Sequence, residues 1–126
     1  MTEQIPLVGV VLDAPDPRTL ASFYERLLGW KIVQGDDNWV SMEGPDGSSK
    51  LSIQREPNYQ PPSWPSKTDQ QQMQIHLDFK VTDLEAAHLL AVEAGATAMD
   101  WQPQKEGVRI FADPVGHIFC LFLPGW

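Results

Sequence analysis

Along "DPRTLASFYERLLGW", residues 16–30, apolar side chains stand at Leu20, Phe23, Tyr24, Leu27 and Leu28. That spacing of i, i+3, i+4, i+7 and i+8 gathers them on one helical face. Asp16 is a cap residue, Pro17 at the first helical position gives up no needed hydrogen bond, and Gly29 suits the carboxyl end. The pattern predicts a helix over 17–28. Ahead of it, "IPLVGVVL" (5–12) is a continuous apolar run of strand length.

The same grammar returns in "IHLDFKVTDLEAAHLLAVEAGAT". Ile75, Leu77, Phe79 and Val81 alternate with His76, Asp78 and Lys80, which predicts a strand with its apolar side toward a helix. Asp83 caps a helix predicted over 84–94, ending near Gly95. Setting Asp83 on Asp16 carries Ala87 onto Leu20, Leu90 onto Phe23, Ala91 onto Tyr24 and Ala94 onto Leu27, so a core face recurs with smaller residues. His88 is assigned to the solvent side. Each helix is followed by three strand-like runs: Lys31–Gln34, Trp39–Glu43 and Lys50–Gln54, then Thr97–Trp101, Val108–Ala112 and Ile118–Phe122. Turn-forming "GDDN", "GPDGSS" and "DPVG" separate them. The fold class is α+β, two tandem βαβββ modules at a period of about 67 residues, too long for a solenoid repeat. Module 1 takes residues 1–57, a linker 58–72, and module 2 residues 73–126. The stretch 56–72, with four prolines, is predicted to be neither helix nor strand. Tyr59 and Trp64 give it apolar area to bury.

Composition narrows the function. A length of 126 residues, with 42% hydrophobic and 21% charged content, is that of one globular domain. The net charge of −8, with nine Lys and Arg, offers no basic stripe for nucleic acid. No apolar run approaches the roughly 20 residues of a membrane span, and "MTEQIPLVGVV" lacks the basic start of a secretory signal. One cysteine excludes an internal disulfide and fits a reducing compartment, so the expected location is cytoplasmic.

Two βαβββ units carrying "FYERLLGW" and "IHLDFKVTDL…DPVGHIFCLF" resemble the vicinal oxygen chelate superfamily of glyoxalases, bleomycin-resistance proteins and extradiol dioxygenases, in its glyoxalase-like domain branch. The resemblance implies curved mixed sheets around a concave pocket. It also implies four metal-ligand positions, two per module. Here these fall on Gly9, Ser52, His76 and Cys120, the last between helix-facing Phe119 and Leu121, and Ser52 between Leu51 and Ile53. Gly9 and Ser52 are not ordinary ligands, and a catalytic divalent site needs about three protein ligands. The expected metal is therefore none and no cofactor is expected. The minority alternative is a divalent metal through His76 and Cys120, with Asp78, Gln54 or Glu56 as a third ligand; a thiolate there favours a soft ion.

The residues support two function classes. One is a metal-independent small-molecule-binding protein that sequesters an aromatic or cationic compound. Its expected pocket comprises Trp39, Ser52, Gln54, Trp64, His76, Asp78, Cys120 and Phe122, with Trp64 over the mouth. Flat aromatic walls with few polar groups suit such ligands, while Trp30 and Trp126 are assigned to packing. The other is a lyase or isomerase on a small oxygenated substrate, with His76 as general base and Asp78 or Cys120 assisting. Cys120 is expected to be an inert small hydrophobe, and His117 to stabilise its turn. Because each half-barrel leaves an edge, the modules are expected to close within the chain or pair in a homodimer.

Overall fold

The computed structural model describes residues 4–126, which divide into two compact units at Tyr59 and Gln60. The first unit runs β1 (Val10–Ala14), α1 (Pro17–Leu28), β2 (Lys31–Gly35), β3 (Trp39–Glu43) and β4 (Lys50–Arg55). The second runs β5 (Leu77–Lys80), α2 (Leu84–Ala94), β6 (Thr97–Ala98), β7 (Val108–Ala112) and β8 (Ile118–Phe122). The sheets have the orders β1-β4-β3-β2 and β5-β8-β7-β6, so each unit pairs its first strand parallel to its last and the others antiparallel. The repeat read from the sequence is thus a repeat of topology. No helix among the described residues is long and apolar enough to cross a membrane.

In the first unit the cap is local chemistry. The Asp16 carboxylate accepts from the backbone N–H groups of Arg18 (3.1 Å) and Thr19 (3.5 Å), and from the Thr19 hydroxyl (2.8 Å). The Thr19 hydroxyl, foremost among these, holds the carboxyl below its usual range. The helix ends at Gly29, whose φ of 69° is left-handed and whose N–H reaches Glu25 O at 2.9 Å. Leu20, Phe23 and Tyr24 are fully buried, as are Val40, Met42 and Ile53 of the sheet that α1 packs on.

In the second unit the volumes are exchanged. Helix α2 buries Leu84, Ala91 and Ala94, while the sheet supplies the rings: Phe111 and Phe119 stack at 5.3 Å, and Phe79 meets Phe119 at 6.0 Å. Large residues on the helix face small or aliphatic ones in one unit, and the reverse holds in the other. Both keep interior density with opposite partners.

Four expectations are corrected. The first strand starts at Val10 rather than Ile5, because β4, its only ladder partner, begins at Lys50 and pairs Val10 with Leu51. Ile5 and Leu7 are exposed. The strand expected over 75–81 is confined to Leu77–Lys80 by its partner Phe119–Phe122; Ile75 lies exposed and His76 just precedes the ladder. The run 97–101 forms only two strand residues, because the Gln102 side chain takes over the ladder. Its amide nitrogen donates to Met99 O and Ile110 O (both 2.8 Å), and its oxygen accepts from Ile110 N (2.9 Å).

The fourth correction concerns the rotation of α2. His88 faces the sheet, with its ring edge-on to buried Phe111 at 5.0 Å and Nδ1 3.1 Å from Arg109 Nη1. This polar anchor sets the helix so that Leu90, the counterpart of buried Phe23, is 44% exposed.

Candidate functional site

Strand alternation sends Asp78 and Cys120 to the face opposite α2, and the parallel register places them side by side. His76, just before the ladder, points its Nε2 at Asp78 Oδ1, 3.1 Å away. One nitrogen, one carboxylate oxygen and the Cys120 sulfur all lie within 4.8 Å of one another. His76 and Asp78 are substantially exposed and Cys120 is half-buried. Burial, then the negative charge of Asp78 and a hydrogen bond to it, push the Cys120 thiol up to about 11 from 9.0. The thiol is therefore a neutral donor to Asp78 at neutral pH. Ile110 pairs with Cys120 from β7 and shares its face, an apolar neighbour absent from the expected pocket. Phe122 lies two residues along from Cys120 on that face and is half-buried.

The first unit's face opposite α1 carries a different set. The Trp39 indole N–H donates to Ser41 Oγ at 2.8 Å, and Ser41 Oγ lies 2.9 Å from Ser52 Oγ. Gln54 donates to Asp13 Oδ1 at 2.7 Å. Glu56 accepts from Asn58 N at 3.1 Å in the turn after β4. A Cβ on Gly9 would stand 3.0 Å from both Cβ and O of Lys50, so glycine serves a close chain passage there. Of the three candidate third ligands, Asp78 is the one gathered with His76 and Cys120; Gln54 and Glu56 are engaged within their own unit. The four-position arrangement implied by the family resemblance does not fit these residues, because Gly9 offers no atom and Ser52 only a neutral hydroxyl.

The segment after Gln60 is ordered by specific contacts. Ser63 N donates to Gln71 O at 2.7 Å, and Pro61 seats against Gly116, where a Cβ would come within 2.5 Å of the proline ring. Gly116 has φ 100°, in the region that favours glycine. Trp64 is half-buried, with its ring centroid 6.1 Å from that of 48%-exposed Trp101. Its indole N–H is buried with no hydrogen-bond partner. The turn carrying Gly116 is stapled by Asp113, whose carboxylate accepts from the backbone N–H groups of Val115 and His117 (both 3.0 Å) and pairs with His117 Nδ1 at 2.9 Å. His117 thus has the turn-stabilising place expected of it.

One polar cluster escaped the sequence reading. On the α2 side of the second sheet, a cleft of about 860 Å³ is lined in part by Glu85, His88, Gln102 and Arg109. Arg109 donates to Lys105 O and Glu85 Oε1 (both 2.6 Å) as well as meeting His88. The available signal was Arg109 itself: a guanidinium at a helix-facing strand position requires polar partners, and Glu85 and His88 sit at i, i+3 on the helix above.

Comparison with known proteins accords with the fold. The family described as Glyoxalase-like domain matches residues 9–122. A glyoxalase/bleomycin resistance protein/dioxygenase family enzyme from Burkholderia phytofirmans PsJN is similar at 17% identity and TM-score 0.69, over 92% of this chain and 96% of that one. A possible glyoxalase from Bacillus cereus is similar at 15% identity and TM-score 0.69, over 94% and 99%. TnmS3, an antibiotic binding protein from Streptomyces sp. CB03234, is similar at 14% identity and TM-score 0.66, over 99% and 100%. No curated protein matches the sequence.

Proposed function

The chain belongs to the glyoxalase-like domain family, and from that premise we propose that it is a small-molecule-binding protein that works without the family's metal arrangement and sequesters a planar aromatic or cationic compound. The observation that carries this reading is Trp64: a buried indole N–H without an acceptor, on a ring beside half-exposed Trp101. A buried donor left unmade costs about 1–3 kcal/mol, and a flat ligand bearing an acceptor recovers it while stacking on the rings. The net charge of −8 favours a cationic group on that ligand. An antibiotic-binding protein of the same fold supports the class of function.

The test is a thermal-shift screen of cationic aromatic compounds, since a binder raises the melting temperature by linkage. A hit should quench tryptophan emission. Trp64→Ala should weaken its binding about tenfold or more, the scale of one lost stacking and hydrogen-bonding partner, while leaving the melting temperature of the free protein nearly unchanged. A Trp64→Ala protein that unfolds, or that keeps full affinity, refutes the reading.

A second reading is favoured by the 3.1 Å approach of His76 Nε2 to Asp78. A carboxylate this close to an exposed imidazole is the kind of neighbour that positions a general base in a lyase or isomerase. Turnover of a small oxygenated substrate that His76→Gln abolishes would replace sequestration by catalysis.

A further inference from the structure

We propose that the cleft beside α2 in the second unit binds a singly charged organic carboxylate with an apolar body, which takes the place of Glu85 on Arg109. The cleft lies on the α2 side of the sheet, whereas Asp78 and Cys120 stand on the other, and its lining includes neither Trp64 nor Trp101. The proposal therefore goes beyond sequestration of a cationic or aromatic compound and does not depend on it. A volume of about 860 Å³ lies within the range of roughly 300–1,000 Å³ that small-molecule sites occupy.

The cation of this cleft is fixed and its counterion is loose. The Arg109 side chain is 15% exposed, that of Glu85 79%. Arg109 Nε donates to Lys105 O at 2.6 Å and Nη1 meets His88 Nδ1 at 3.1 Å, so only Nη2 depends on Glu85. When Glu85 swings into water, the two other contacts keep the guanidinium in place. Its rigid fork then presents N–H groups on both terminal nitrogens to the two oxygens of an incoming carboxylate. The wall beside it is rigid as well, because the Gln102 amide is spent on Met99 O and on both backbone groups of Ile110. Charge then selects the ligand. Three carboxylates, Asp83, Glu85 and Glu106, line the cleft against Lys105 and Arg109. Asp83 is committed to the helix cap, where it accepts from Ala86 N at 3.0 Å. A monoanion that replaces Glu85 leaves the charge around Arg109 as it was, whereas a phosphate dianion adds to the acidic excess. Half-buried Met99 and Leu123 give the ligand an apolar contact, and burial there is its advantage over Glu85.

Hexanoate is the probe, titrated into the isotope-labelled full chain and followed by NMR. The Arg109 Nε–H signal and the backbone amides of Glu85 and Met99 should shift and saturate, with a dissociation constant of about 1 mM, the scale for a ligand of this size. Hexanamide, which has the same shape without the charge, and inorganic phosphate should each bind about tenfold more weakly or worse. Arg109→Lys keeps the charge but loses the fork, and should weaken hexanoate by about tenfold. Glu85→Gln is the sharper variant, because it touches an exposed side chain and leaves the fold intact. Removing the competing carboxylate should tighten hexanoate binding about threefold, the scale of one exposed ion pair. An Arg109–Glu85 pair that only ties the helix to the sheet gives no such gain. Trp64→Ala should leave hexanoate affinity unchanged, which separates this cleft from the aromatic site. The proposal is overturned by the absence of a saturable shift or by hexanamide binding as well as hexanoate. It is equally overturned by an affinity that stays level or falls in Glu85→Gln, or that falls in Trp64→Ala.

Discussion

Asp113→Ala is expected to destabilise the protein by about 3 kcal/mol, lowering its melting temperature by roughly 10 °C. The Asp113 side chain is fully buried and serves three donors, two backbone N–H groups and the His117 ring. Alanine leaves those donors buried without the carboxylate, which costs far more than an exposed turn residue would. The damage should spread, because the turn also presents Gly116 to Pro61 and so anchors the segment that carries Trp64. Asp113→Asn keeps an acceptor for the backbone donors and should lose less than half as much. Urea melts of the two variants check this, and a loss below about 0.5 kcal/mol for alanine, the range of ordinary surface changes, would show that the staple contributes nothing.

How far the sequence disclosed this molecule depended on what kind of information each feature needs. Both helices lie where caps and periodicity put them, at Pro17–Leu28 and Leu84–Ala94, because Asp16 and Asp83 and the glycines beyond act within a turn of their own position. The strands Trp39–Glu43, Val108–Ala112 and Ile118–Phe122 were equally legible, being bounded by turn residues. Strand ends set by a distant partner were not. Nothing in "IPLVGVVL" says that β4 begins at Lys50, and nothing in "TAMDW" says that Gln102 substitutes for strand backbone.

The site divides along the same line. Alternation in β5 and β8 was enough to put Asp78 and Cys120 on one face, the parallel register sets them side by side, and His76 lies 3.1 Å from Asp78 just before the ladder. The place of His88 was not legible, because a pattern of apolar residues does not register a polar contact, and its ring meets half-buried Arg109 on the facing strand. Size told the same story. Ala91 and Ala94 look like a weaker copy of the first core, but their smallness leaves room for the phenylalanines of β7 and β8.

Cys120 should alkylate about 100-fold more slowly than an unperturbed cysteine at about pH 8, because the thiolate is the reactive form and its pKa stands near 11 against 9.0. Burial is the larger cause and Asp78 the next, so the two can be separated by mutation. Asp78→Asn removes the negative charge while leaving the burial, and should speed alkylation by about tenfold without restoring the free-thiol rate. The linkage has a definite sign. The folded protein holds its thiol proton more tightly than the unfolded chain, so stability falls as pH rises through the window from 9.0 to about 11, and this component is flat below it. Asp78→Asn should flatten part of that fall. The measurement is iodoacetamide labelling against pH, in chelator so that no ion occupies the sulfur, followed by melts across the same range. Wild-type labelling at the free-cysteine rate would show that Cys120 is open to solvent and that Asp78 does not govern it. That outcome would also remove the neutral thiol–carboxylate pairing from which the wall of this face is built.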